Sequence, residues 1–88
     1  MTDIKASIGA IVRATAGRDE DGLFIIINVI DHEYVLIANG ENRTIKKPKK
    51  KKIKHLKFLG FVDENIATLV SAKRLQDADI RKSIKSFE

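Results

Sequence analysis

Residues 23–30 read Leu-Phe-Ile-Ile-Ile-Asn-Val-Ile and stand between Gly22 and Asp31. β-Branched and aromatic side chains are enriched in strands, and such a run bounded by turn-forming residues is a strong strand signal. The sequence therefore predicts a strand here, and the neighbouring patterns can be read outward from it.

Further strand patterns lie on both sides of this run. Residues 8–13 predict a first strand, and residues 14–22 a loop. Tyr34–Ala38 predicts a third strand, and the Asn39-Gly40 pair that follows is a strong hairpin signal, leading into a fourth strand at residues 43–46. A last strand is expected at residues 53–57. Five short strands with tight turns predict a small closed barrel, because closure removes exposed strand edges.

The C-terminal part of the chain changes to a helical pattern. Ile66, Leu69 and Val70 recur at helical spacing, with Asp63 as the expected N-cap. A second helix is expected at residues 78–87, capped by Asp77. Because both apolar stripes are narrow, these helices should dock on the barrel or stay partly disordered. We therefore expect a barrel over residues 1–59 and a helical extension over residues 60–88.

Composition narrows the class of protein. The 88 residues include no cysteine and two histidines, which excludes disulfides and thiolate zinc sites and argues against a histidine metal cluster. No apolar signal-peptide core follows Met1, and no apolar run is long enough to span a bilayer. No serine has an evident partner base, and no Walker-type loop is present. We expect a cytoplasmic protein that is not an enzyme and uses no metal, cofactor, small-molecule substrate or membrane.

The net charge of +5 is unevenly distributed. Residues 41–58 hold nine basic side chains and one acidic one, a net charge of +8, whereas residues 1–40 carry −3 and residues 59–88 are neutral. A localised positive field of this kind attracts polyanions.

The lysine run of residues 46–57 is the first candidate site. Lysine is a compact, rotatable charge suited to phosphate oxygens. The alternative is a solvated or localisation-type charge run without a defined ligand. Ile45, Ile53 and Leu56 interrupt the run and should tie it to the folded body. Lys49–Lys52 are expected to be mobile without a partner, because they repel one another.

The loop over residues 14–22 is the second candidate, with Arg18 able to fork onto a phosphate. Its alternative is an ordinary connecting turn. Among the aromatic residues, Phe24 is expected in the core, whereas Tyr34 and Phe58 are candidates for exposed rings that stack on bases.

The spacing of Gly9, Val12, Gly17, Arg18 and Gly22, followed by alternating apolar residues, resembles a KOW motif. Together with a basic return segment, residues 6–59 resemble the KOW-containing ribosomal proteins of the archaeal and eukaryotic large subunit, and more closely the small bacterial KOW-domain RNA-binding proteins. The resemblance implies an SH3-like barrel, ribosomal RNA as partner, association with the ribosome in translation, and no catalysis.

The resemblance also implies an RNA-facing loop, which falls on Thr15, Gly17, Arg18 and Gly22. This chain departs from the motif, because Asp19, Glu20 and Asp21 stand where KOW loops carry a basic step. Carboxylates there would repel phosphate, so we expect residues 43–57 to carry more of the binding. The predicted RNA-binding residues are Arg13, Thr15, Gly17, Arg18, Arg43, Lys46, Lys47, Lys49, Lys50, Lys51, Lys52, Lys54, His55 and Lys57.

The first hypothesis is therefore a monomeric, SH3-like KOW barrel that binds structured ribosomal RNA through its phosphates. A second is a protein-interaction barrel that docks to the transcription or translation machinery, favoured by the acidic loop and the helical tail. A third is non-specific binding of DNA.

Overall fold

The computed structural model describes residues 7–17 and 22–88. The described chain is mainly β with two helices, as the sequence predicts. Its elements are β1 (Ala10–Ala14), β2 (Leu23–Val29), β3 (Tyr34–Ala38), β4 (Lys49–Lys52), a 3₁₀ turn (Ile53–His55), β5 (Leu56–Val62), α1 (Glu64–Ser71) and α2 (Asp77–Phe87).

The strands form one antiparallel sheet in the order β4-β3-β2-β1-β5. The edge strands β4 and β5 do not pair with each other within the described residues, so the sheet is not closed. It must nevertheless curl, because only the 3₁₀ turn joins these two edges. In a flat sheet they would lie about 19 Å apart, at about 4.8 Å per strand. The link from Lys52 to Leu56 spans at most about 14 Å when extended, and less in a 3₁₀ turn.

The inner face of the curl holds one hydrophobic core. Side chains that alternate along the strands converge there, among them Val12, Phe24, Ile26, Val35 and Ile37. Phe24 is 2% exposed, which confirms its predicted place in the core.

The outer face of the sheet holds a second core beneath the helices. Ile11 and Ile25 pack there with Ile66 of α1 and Ile80 of α2. Residues 24–27 of the central strand β2 are thus buried on both faces, which explains why this stretch is an unbroken apolar run and not an alternating one, while Asn28 and Val29 at its end are exposed. Of the two outcomes expected for the helices, the structure shows docking. β5 also continues to Val62, past the predicted division at residue 59, and that division stays a prediction.

The helix starts were predicted with mixed success. Asp63 is the N-cap of α1 and accepts the backbone N–H groups of Asn65 and Ile66, as expected. The predicted N-cap of α2 was wrong by one residue. Gln76 is the N-cap of this helix and its N–H donates to the Asp79 carboxylate at 2.9 Å, while the carboxylate of Asp77 accepts the N–H of Ile45 at 2.9 Å.

The predicted fourth strand at residues 43–46 was wrong. A turn does follow β3, where the N–H groups of Asn39 and Gly40 donate to the Arg43 carbonyl. The chain then runs along α2, because the Arg81 guanidinium donates to the Gly40 carbonyl at 2.6 Å and the Asp77 carboxylate accepts the N–H of Ile45. These contacts divert residues 43–47 away from a second hairpin strand.

The fourth strand is instead Lys49–Lys52, the segment expected to be mobile. Its pairing with β3 supplies the partner that its own sequence does not suggest. The predicted last strand also shifts, because residues 53–55 form the 3₁₀ turn and β5 begins only at Leu56. Within the described ranges, neither helix has the length and apolarity needed to cross a membrane.

Candidate nucleic-acid interface

The four residues of β4 are all lysines, and β-pleating directs them to both faces of the sheet. Lys50 lies opposite Leu36, whereas Lys51 lies opposite Val35 of the inner core. Neighbouring side chains along a strand point to opposite faces. The lysine run therefore does not form one continuous charged face.

Lys51 has a structural position. Its side chain is 8% exposed, and its Nζ donates to the Ala16 carbonyl at 2.9 Å. The same Nζ would lie 3.1 Å from a Cβ at Gly17, whose φ of +85° also favours glycine. Lys51 thus fastens the loop after β1 to the inner side of β4. This contact occupies its ammonium, so Lys51 is not part of the exposed basic surface.

Lys50 and Lys52 flank an aromatic ring on the outer face. The Nζ of Lys50 lies 4.5 Å from the centroid of the Tyr34 ring, and that of Lys52 lies 5.8 Å away. Tyr34 pairs directly with Lys52 across the two strands. Cations at these distances are attracted to the face of the ring.

The 3₁₀ turn brings the predicted loop and the lysine run together. The Thr15 N–H donates to the His55 carbonyl at 2.9 Å, and the Ile53 N–H donates to the Glu33 carbonyl at 2.8 Å. Thr15 and Lys54 are exposed and His55 is half-buried. Thr15 and Gly17 are therefore close to the lysine segment. Arg18, Asp19, Glu20 and Asp21 lie outside the described residues.

Two further cations lie side by side on the strands beyond the turn. Arg13 of β1 pairs with Lys57 of β5, so both project from the same face of the sheet. Arg13 is half-buried and engaged in another interaction, while Lys57 is exposed.

Three further predicted cations lie before the start of β4, at the other end of the strand. Lys46 and Lys47 are exposed in the bend before Pro48, where the Lys47 N–H donates to Thr44. Arg43 is half-buried in the turn after β3, and its N–H donates to the Asn39 side chain. The basic surface therefore follows the whole length of β4. We call it the lysine edge, and its exposed members are Lys46, Lys47, Lys50, Lys54 and Lys57.

The Asp31 carboxylate lies at the Tyr34 end of the lysine edge. Asp31 accepts the backbone N–H groups of Glu33 and Tyr34, each at 2.8 Å. These bonds lower the pKa of its carboxyl below the ordinary value of 3.8, with smaller contributions from the charges of His32 and Lys50. The carboxylate therefore stays ionised beside Lys50 under physiological conditions.

The contacts of Lys51 and Tyr34 were not foreseen in the sequence. Both follow from alternation along β4 and its register with β3, but β4 has no strand signal of its own.

A comparison with models of known protein families finds none that matches this chain, and a comparison with curated protein sequences finds no match either.

Proposed function

We propose that the chain is an RNA-binding module, a KOW-type SH3-like barrel that binds structured RNA through phosphate contacts along the lysine edge. Ribosomal RNA is the partner we propose, in association with the ribosome and translation. The observation that carries this proposal is the ordered position of β4. A tract of four lysines is held as an edge strand, so its charges occupy fixed places on a folded body.

The curl of the sheet supports the barrel part of the proposal. The inner core draws on β1, β2, β3 and β5, together with Ile53 of the 3₁₀ turn, as the interior of a small barrel does. The resemblance to KOW proteins rests on the sequence alone. In such a barrel the lysine edge and the loop over residues 15–17 would form one rim.

The chemistry of the lysine edge favours the RNA backbone over base edges. An ammonium is a point charge, which meets phosphate oxygens without demanding a particular sequence. If the five exposed lysines each neutralise one phosphate, the slope of log K against log salt is about −3.5 to −4.5. Affinity should then fall by about 100- to 500-fold between about 50 mM and 200 mM salt.

The experiment measures binding of the full chain to structured ribosomal RNA fragments at both salt concentrations. A triple variant of the lysine edge carries Lys50→Gln, Lys54→Gln and Lys57→Gln. A matched control removes the same charge from exposed positions after β5, with Arg74→Gln, Lys82→Gln and Lys85→Gln.

The lysine-edge variant should lose most of its affinity, and its salt slope should decrease in magnitude by about 2–3. The control should keep a slope close to that of the wild type. Equal losses in the two variants would mean that net charge alone attracts the RNA, and would refute a defined site. Binding that does not change with salt would refute phosphate recognition altogether.

A specific observation also supports the protein-interaction alternative. Phe61 of β5 and Phe87 of α2 are 47% and 36% exposed, and their ring centroids lie 6.0 Å apart. An exposed aromatic pair is more typical of a protein contact than of a phosphate site. A pull-down after nuclease treatment tests this alternative. It is favoured if polymerase is recovered with the wild-type chain and with the lysine-edge variant, but not with Phe61→Ser.

A further inference from the structure

The outer face of the sheet has one corner that contains an aromatic ring among cations. The helices pack over the Ile11, Ile25 and Ile27 part of the outer face. Tyr34 lies where β3 begins, on the side of the sheet that ends in β4. Its ring is half-buried, and next to it in the β2–β3 turn Ile30 is 45% exposed.

Hydrogen bonds hold the backbone of Tyr34 at both its N–H and its carbonyl group. Its N–H donates to the Asp31 carboxylate at 2.8 Å, and its carbonyl accepts the N–H groups of Ile30 and Asp31 at 3.0 and 3.2 Å. Because β3 also pairs with β2 and β4, the ring projects from a rigid support. A rigid aromatic side chain loses little conformational entropy when a ligand stacks on it.

The cations near Tyr34 differ in how freely they can leave the ring. Lys50 is exposed and Lys52 is half-buried. The ammonium of Lys50, 4.5 Å from the ring centroid, is held by a cation–π attraction that is weak at an exposed site. Stacking of a base on an aromatic ring is generally the larger effect. A base could therefore replace Lys50 over the ring, and the freed ammonium would meet the phosphate of the same nucleotide.

We propose that Tyr34, flanked by Lys50 and Lys52, is a stacking site for an unpaired base of the bound RNA. This inference rests on the proposed RNA-binding function and narrows its substrate class. The RNA that binds best has a loop, bulge or single-stranded end beside a phosphate backbone that follows the lysine edge. A fully paired duplex offers no base to the ring, because its bases are stacked on one another.

The simpler explanation is that Tyr34 only supports the β3–β4 pairing through its lysine contacts. The two explanations differ in what Tyr34 does when RNA binds. Tyr34 is the single tyrosine of a chain without tryptophan, so its fluorescence and ring NMR signals report on this site alone.

The experiment titrates the full chain with two probes: an RNA hairpin with a loop of unpaired adenosines, and the same stem as a fully paired duplex. The hairpin should quench the Tyr34 fluorescence and shift its ring protons upfield, and the duplex should do neither. Tyr34→Leu should weaken hairpin binding by about 5- to 150-fold. It should leave duplex binding within about twofold, and Tyr34→Phe should bind both RNAs like the wild type.

Each other outcome has a definite meaning. If both RNAs bind in a salt-sensitive way but the Tyr34 signals do not move, the stacking site is refuted and the proposed function stands. If Tyr34→Leu weakens hairpin and duplex binding equally, Tyr34 acts as structural support and the inference is again refuted. If neither RNA binds the wild-type chain, the proposed function itself fails. The signals of the wild-type ring keep the test decisive even if Tyr34→Leu folds poorly.

Discussion

Truncation of Ile80 tests whether the two helices unfold together with the sheet. It is fully buried between α2 and the outer face of the sheet, in one cluster with Ile11 and Ile25. Truncation of a buried isoleucine to alanine costs about 2–5 kcal/mol, and Ile80→Val about 0.5–1.5 kcal/mol. A domain of 88 residues has a free energy of unfolding of about 4–13 kcal/mol. Ile80→Ala should therefore remove a large share of the total stability.

Urea denaturation followed by two probes measures this effect. The fluorescence of Tyr34 reports on the sheet, and far-UV circular dichroism reports largely on α1 and α2. With an m-value of about 1 kcal/mol/M, Ile80→Ala should lower the urea midpoint by about 2 M or more. Both probes should shift together, because the second core joins the helices to β1 and β2.

A split between the two probes would contradict this reasoning. If the circular dichroism midpoint falls while the Tyr34 transition keeps its wild-type midpoint, the helices unfold as a separate extension. That result would support the division between residues 59 and 60 that the sequence predicts. Ile80→Val serves as the control, since it should shift both midpoints only slightly.

Two further predictions concern single contacts. Gly40→Ala should destabilise the fold more than Gly60→Ala. Both glycines have positive φ, but only at Gly40 would an added Cβ lie 2.6 Å from the Asp77 carbonyl oxygen. In urea denaturation we expect a loss of about 1 kcal/mol for Gly60→Ala and of at least about 2 kcal/mol for Gly40→Ala. In an NMR pH titration the pKa of the Asp31 carboxyl should lie below its ordinary value of 3.8, because the carboxylate accepts two backbone N–H groups. Its folded-state pKa is depressed, so its contribution to stability is present above the unfolded-state pKa and is lost as pH falls through the folded-state pKa. Equal losses of unfolding free energy in the two glycine variants would contradict the first prediction. A titration midpoint of the Asp31 carboxyl at or above 3.8 would contradict the second.

The parts of the fold that the sequence predicts well are those with strong local signals. β3 has the predicted bounds, and the apolar run of residues 23–30 forms β2 as expected, one residue shorter than predicted. Asp63 caps α1, because a carboxylate before an amphipathic stretch satisfies the first free N–H groups of a helix. In each case the residues within a few positions determine the outcome.

The incorrect predictions share the opposite cause, a contact between residues far apart in sequence. Lysine is disfavoured in strands and four adjacent lysines repel, so β4 carries no local strand signal. It forms because β3 offers a partner and because Lys51 reaches the Ala16 carbonyl, 35 positions away. Residues 43–46 have a stronger local strand pattern than β4. They do not form a strand, because the N–H of Ile45 donates to Asp77 of α2, 32 positions away.

The lysines of β4 also have an explanation that needs no ligand. Lysine on an edge strand discourages pairing with other chains, and β4 is an edge strand with a side that no described strand covers. Edge protection, however, requires charges only on the strand itself. It does not account for Lys46 and Lys47 before the strand, or for Lys54 and Lys57 after it, all of which are exposed. Positive charge that continues past both ends of the strand, at the cost of mutual repulsion in the free protein, is better explained by a polyanion long enough to contact the whole lysine edge.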